Sequence, residues 1–297
     1  MTTDTKQAET GKRTYLPHLQ VLLAGGLWGG IGLWSRNLVA GGLTPYSIVL
    51  LRNLGGLILL ATLFLCIDRR VFRIRIRHLP YFFGTGIVSV LLFTICYFSC
   101  QQLVSLAVSA ILLYTAPTFV VILSALLWKD KLTKGKCVAL GLAFLGCTFV
   151  SGVWGGSLNV TPRGFLLGLG AGFFYALYSI FGRYALRYYS PFTVTFYTFL
   201  FAGVGALCVA NPLHVVATIS SPPMVFFALG MVVFSTVLPY LLYTKGLSKL
   251  DSGKASILAS TEPVVAALVG VLAFGEPMGL SILLGLACIL VSIYILR

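Results

Sequence analysis

The chain has 297 residues, 58% hydrophobic and only 9% charged, with a formal net charge of +14. A soluble domain needs about a quarter of its residues charged to cover its surface, so a fold surrounded by water is excluded and the solvent is mostly lipid. In a soluble protein that positive excess would suggest nucleic acid; here it is first a matter of membrane orientation, and no nucleic-acid partner is expected.

Residues 1–16 form a polar tail. The block that follows, 17–40, is too long and too rich in glycine for a cleaved signal peptide and reads as a first span. Nine further apolar blocks succeed it at 45–67, 79–101, 104–127, 135–153, 164–186, 191–210, 223–247, 252–274 and 279–296. Each approaches the roughly 20 apolar residues that cross a hydrocarbon core of about 30 Å as a helix. The blocks lack the alternation of membrane strands, and lipid offers no partner to an open backbone amide, so the expectation is an all-α membrane protein of ten transmembrane helices. The connections are too short to hold a soluble catalytic domain.

With the N-terminus placed in the cytoplasm, all of the 21 Lys and Arg except Arg36, Arg52 and Arg163 fall inside or at the inner span ends. The positive-inside rule then predicts an N-in, C-in topology. The cluster Arg69, Arg70, Arg73, Arg75 and Arg77 reads as a topology anchor, with recognition of an anionic headgroup or substrate as its alternative. Arg52 lies inside the second span, where snorkelling to the outer surface is favoured over pairing with a substrate carboxylate.

The chain repeats itself. Pro117 is followed by Asp130 thirteen residues later, and Pro263 by Glu276 at the same spacing. Tyr97 and Tyr243 each stand twenty residues before those prolines, while Trp28 aligns with Tyr175, Arg36 with Arg183 and Pro45 with Pro191. Every pair is 146 or 147 residues apart. The expected division is a cytoplasmic tail at 1–16, a first five-helix repeat at 17–155 and a second at 156–297. Five is an odd number, so the second copy enters the membrane from the opposite side, giving two inverted repeats. Carriers use that arrangement because two related halves can exchange conformations around one central site.

These features resemble the drug/metabolite transporter superfamily, and within it the ten-span EamA-type carriers, over about residues 17 to 296. The resemblance rests on the small-x-x-Pro region followed by an acidic residue and a glycine-rich span, at 110–150 and 256–292, and on the aromatic-glycine run Leu27-Trp28-Gly29-Gly30. It implies transport of a small organic molecule; members of the superfamily move amino acids, sugars, nucleotide sugars and drugs. The first copy departs from the second in having Ala116 where the second has Glu262, confining any acidic function to one half.

Carrier sites lie near the bilayer midplane between repeats. Trp28, Tyr114, Thr115, Tyr175, Tyr178, Ser260 and Glu262 are expected at that depth, with Tyr97 and Gln101 nearer the outer end of the third span and Tyr240 deeper toward the cytoplasm. Membrane-belt placement does not explain aromatics at mid-depth, whose N–H or O–H needs a partner or a wet cavity. Together these residues form the expected substrate site, against ordinary aromatic packing. Glu262 is either a proton-coupling or substrate-ammonium group, or a structural carboxyl serving backbone freed by Pro263. Asp130 and Glu276 read as solvated helix-end residues, and Asp251 as a surface partner of Lys249 or Lys254. Glycines such as those of Gly25-x-x-x-Gly29 read as close-packing positions, and Asn159-Val160-Thr161 matches a glycosylation sequon.

The seven cysteines lie in or beside apolar blocks without metal-ligand spacing to histidine, and His18, His78 and His214 are far apart, so no cofactor and no metal site are expected. No P-loop and no paired catalytic aspartates occur, which disfavours an ATP-driven pump or a membrane-embedded enzyme; filter-like loops and charged rings that would mark a channel are missing too. The leading expectation is a secondary transporter in a bacterial inner membrane, exporting amino acids or related compounds by alternating access, with or without proton coupling. The alternative is a carrier of sugar conjugates, nucleotide sugars or drugs. Monomer and homodimer are both left open.

Overall fold

The computed structural model describes residues 3–101, 103–104, 106–150, 161–275 and 279–295, without the side chains of 3–14, 101, 106–108, 111 and 150. The described residues are helical and contain no strand. Six helices are long and apolar enough to cross a membrane: α1 (Tyr15–Ala40), α2 (Pro45–Ile67), α3 (Ile76–Cys100), α7 (Pro162–Ala185), α10 (Pro222–Leu247) and α11 (Ser252–Phe274). Between them lie α4 (Leu106–Leu113), α5 (Ala116–Trp128), α6 (Lys134–Val150), α8 (Pro191–Ala206) and α9 (Pro212–Thr218), with α12 (Leu280–Ile295) last. The chain is an integral membrane protein. Large apolar side chains such as Ile58, Leu126, Leu166, Leu272 and Tyr294 stay exposed on its outside, as lipid rather than water requires.

The remaining apolar blocks correspond to shorter helices. Block 104–127 breaks into α4 and α5 at a turn over Tyr114 and Thr115, just before Pro117. Proline has no N–H and is accepted at the first turn of a helix, where that donor is unused anyway, so Pro117 starts α5 rather than kinking a longer helix. Block 191–210 stops as α8 at Ala206, and block 279–296 is a helix of 16 residues.

Helix starts follow a sequence rule. Thr44-Pro45, Thr161-Pro162 and Ser190-Pro191 each pair a hydroxyl N-cap with proline at the first helical turn. The hydroxyls of Thr44 and Ser190 accept from the amides of Ser47 and Thr193, at 3.1 and 3.2 Å. Those two caps sit 146 residues apart. The helix ends repeat as well: Lys129 and Gly275 close α5 and α11 in the left-handed conformation, with φ of 57° and 66°. A left-handed lysine costs on the order of 1–2 kcal/mol where glycine pays none.

The helix interiors repeat too. A π-helical stretch over Gly84–Leu91 widens α3, and another over Val233–Val237 widens α10. In α11 a 3₁₀ turn over Ala259–Thr261 precedes Glu262 and Pro263, matching the Tyr114–Thr115 turn before α5. Packing follows the same rule, for α1 lies against α10 and α11 as α7 lies against α3 and α5. Helices α2 and α8 meet, as do α6 and α12. One close approach needs glycine in each half. A Cβ on Gly172 would lie 2.9 Å from the Leu112 carbonyl oxygen and against the Thr115 hydroxyl, and one on Gly25 2.7 Å from the Ala259 carbonyl oxygen and against the Thr261 hydroxyl. These joints bring α7 onto the α4–α5 break and α1 onto the α11 break.

Candidate functional site

The joint at Gly25 and Gly29 seats α1 on α11 and thereby fixes the neighbouring Trp28. Its indole, 6% exposed, meets the rings of Tyr240 at 5.2 Å, Tyr243 at 5.5 Å and Tyr175 at 6.4 Å. Phe93 closes on Tyr175 edge to face at 5.2 Å. Above this floor of rings opens a cavity of about 730 Å³, bounded by α1, α2, α3, α4, α7, α10 and α11. It runs along α1 past Ser35 and Arg36 to Ala40, and along α2 to Pro45, so it reaches the end of the bundle that carries the α1–α2 turn. The Arg36 guanidinium lies over the Phe274 ring at 4.2 Å beside that mouth.

Two charged side chains besides Arg36 line the cavity, Arg52 from α2 and Glu262 from α11. Arg52 on α2 turns inward. Its Nε donates to the Thr236 hydroxyl at 3.2 Å and a terminal nitrogen to the Ser235 carbonyl at 3.5 Å. Both acceptors belong to the π-helical stretch of α10, where the altered backbone ladder leaves a carbonyl facing sideways. This corrects the favoured expectation that Arg52 snorkels outward. Glu262 opens the second part of α11, a position where the helix dipole favours a carboxylate. Its carboxylate makes no hydrogen bond to any described backbone group, so the role of serving backbone freed by Pro263 finds no support; Pro263 sits in the first turn, where no donor is missed. Arg52 and Glu262 do not form a direct ion pair.

Of the residues expected at the site, Trp28, Tyr97, Tyr175, Tyr240 and Glu262 line the cavity. Tyr114 and Ser260 border a void of about 20 Å³ shared with Tyr175 and Glu262. Thr115 turns away, donating to the Leu112 carbonyl at 2.6 Å against Gly172. Tyr178 lies below the floor. The side chain of Gln101 lies outside the described residues, as do Glu276 and Asn159. Arg52 faces inward, as the less favoured of its two readings had it, and Phe93, Thr94, Phe98 and Ser35 are among the lining residues that sequence reasoning did not single out.

Below the floor the protein is closed. Tyr178 and Thr244 share a hydrogen bond of 2.6 Å, Ser179 and Tyr243 one of 2.8 Å, and Thr195 reaches Thr244 at 3.4 Å. The remaining void, about 10 Å³, is at the limit for one water. Toward the same end Arg183 forms a two-pronged ion pair with Asp130, one contact measuring 3.2 Å, while its guanidinium covers the Trp128 ring at 4.2 Å. Asp130 is therefore paired rather than merely solvated. Asp251 accepts from the Lys254 backbone amide at 2.8 Å as an N-cap, and its ion-pair partner is Lys136 on α6 at 3.1 Å, not the neighbouring lysines.

Comparison with known proteins gives this geometry a context. The model of the EamA-like transporter family matches the chain twice, over residues 16–152 and 162–297. An uncharacterised transporter of Archaeoglobus fulgidus is 30% identical over 204 residues, 67% of this chain and 70% of that protein. The Bacillus subtilis transporter YetK is 26% identical, covering 82% of this chain and 76% of its own length. The threonine/homoserine exporter RhtA of Escherichia coli K12 is 29% identical over 64% of this chain and 62% of its own. A solved crystal structure superposes with a TM-score of 0.79 at 19% identity, covering 94% of this chain and 95% of the other, which establishes likeness of fold.

Proposed function

The chain belongs to the EamA-like transporter family, and from that premise we propose that it is a ten-pass secondary carrier of small organic metabolites, most of all amino acids or related compounds, working by alternating access. The observation that carries this reading is the contrast along one axis: a cavity of about 730 Å³ above the Trp28 floor and a void of about 10 Å³ below it. A site open to one side and shut to the other is what a carrier holds in either of its end states. The repeated caps, breaks and π stretches support two five-helix repeats, 17–155 and 156–297, in inverted orientation. The distribution of Lys and Arg supports N-in, C-in, which turns the mouth outward, in a bacterial inner membrane.

In this reading Trp28, Tyr97, Tyr175, Tyr240 and Glu262 contact the substrate. Tyr114 and Ser260 sit behind Glu262, Thr115 holds a helix joint, and Tyr178 belongs to the closed end. The exporter name of one relative supports amino acids over sugar conjugates or drugs, as does a cavity that joins rings with opposite charges. Coupling to protons through Glu262 is the natural form of coupling here, since a carboxyl at this depth is stable only when neutral, paired or wet.

Purified protein in proteoliposomes, screened first by thermal shift against amino acids, sugars and nucleotides, tests the proposal. Saturable flux with counterflow of a preloaded solute is expected, altered between two pH values in the native protein and insensitive to pH in Glu262→Gln. Ion current without counterflow would overturn it in favour of a channel.

A further inference from the structure

Arg52 and Glu262 remain to be explained together. Both face one cavity whose walls are otherwise mostly apolar and aromatic, and at this depth an isolated charge costs several kcal/mol. They do not neutralise each other directly. Arg52 spends part of its guanidinium on Thr236 and the Ser235 carbonyl, which fixes its direction and leaves other N–H donors toward the space. The Glu262 carboxylate has no hydrogen-bond donor among the described residues.

We propose that Arg52 and Glu262 form a dipolar subsite for a free α-amino acid, the guanidinium taking the carboxylate and Glu262 the ammonium, with the aromatic floor taking the side chain. The subsite rests on the carrier reading above and narrows it to zwitterions. A solute with one charge would satisfy one wall and leave the other charge desolvated, which penalises it more than the missing contact alone would. A zwitterion leaves neither. Guanidinium suits a carboxylate because its planar fork donates two parallel hydrogen bonds. Trp28, Phe93, Tyr175 and Tyr240 offer ring faces and edges at centroid spacings of 5.2 to 6.4 Å, surfaces that suit an apolar or aromatic side chain.

The test is a calorimetric titration of purified protein with L-phenylalanine, phenethylamine and 3-phenylpropionate, which share one ring and differ in their charged groups. The native protein should bind L-phenylalanine at least about 10-fold more tightly than either analogue. Arg52→Gln should reduce it to the level of phenethylamine without weakening phenethylamine itself. Glu262→Gln should reduce it to the level of 3-phenylpropionate without weakening that anion. Equal binding of all three ligands by the native protein, which needs no variant to fold, overturns the subsite, and so does a preference for L-phenylalanine that survives both substitutions. Counterflow in proteoliposomes keeps the two proposals apart. If another solute shows counterflow while L-phenylalanine binds no better than its analogues, the carrier stands and the dipolar subsite falls. If no solute shows counterflow, the carrier reading falls, and the titration still decides the subsite.

Discussion

The two ends of the central axis are built from equivalent positions and behave differently. At the closed end stand Tyr178, Ser179, Tyr243 and Thr244, joined through hydroxyls. Residues 146 or 147 earlier in the chain are Ile31, Gly32, Tyr97 and Phe98, and all four line the open mouth. Arg183 over Trp128 has its counterpart in Arg36 over Phe274. One end thus has side chains that can hold it shut by hydrogen bonds, whereas the other lacks hydroxyls at three of the four places. Each such bond contributes about 1 kcal/mol net, so under the proposed carrier mechanism the seal would favour the conformation described here. In the alternating-access reading proposed above, sequence symmetry would supply two related conformations, and its local failure would set which one is preferred.

Substitutions at either end and elsewhere in the fold probe that contrast. The largest effect is expected at the joint the halves share. Gly172→Val puts a branched side chain onto the Leu112 carbonyl, where backbone cannot yield, and should cost about 3 kcal/mol or more. Its readout is loss of monodisperse protein on size exclusion. Next, Asp130→Asn or Arg183→Gln removes half of an ion pair that is mostly but not wholly buried. A cost of roughly 1–3 kcal/mol, between exposed and buried pairs, should raise thiol labelling of Ser179→Cys about 5-fold or more. Tyr178→Phe and Tyr243→Phe should each weaken the seal by about 1 kcal/mol, a shift of roughly 5-fold in the balance of the two conformations, read as altered flux asymmetry. The smallest effect belongs to Gly141→Ala on the lipid face of α6, where an added Cβ meets nothing within 4 Å. Its melting temperature should stay level or rise slightly, because alanine gains about 0.5–1 kcal/mol over glycine inside a helix. A fall there would contradict the assignment of that face.

The duplicated plan was legible in the chain because it is written in residues with strong local consequences. Proline after Ser or Thr starts a helix wherever it occurs, and the offset linking Pro45 with Pro191 and Pro117 with Pro263 recurs in the caps and breaks. Trp28, Tyr175 and Glu262 could be placed at the cavity because polar or ring-bearing groups at mid-span need a reason to be there. Other features left no such mark. A π-helical stretch adds one residue to a turn without changing an apolar pattern, so neither Gly84–Leu91 nor Val233–Val237 could be read. The direction of Arg52 depends on Thr236, 184 residues away, and the partner of Asp251 is Lys136 in the other half. Neither choice is visible in a local window. Thr115 and Tyr178 were chosen by depth along a span, and depth does not say which side of a helix faces the cavity.

The most direct measurement compares two single cysteines, Ser35→Cys at the mouth and Ser179→Cys at the seal, in a protein whose seven native cysteines have been replaced. Each is labelled with a membrane-impermeant thiol reagent from either side of oriented vesicles, with and without transported solute. The expected result is that Ser35→Cys reacts from one side only, Ser179→Cys only from the other, and that solute shifts the two rates in opposite directions. Reaction of both positions from the same side at once, or rates that rise and fall together, would contradict the account.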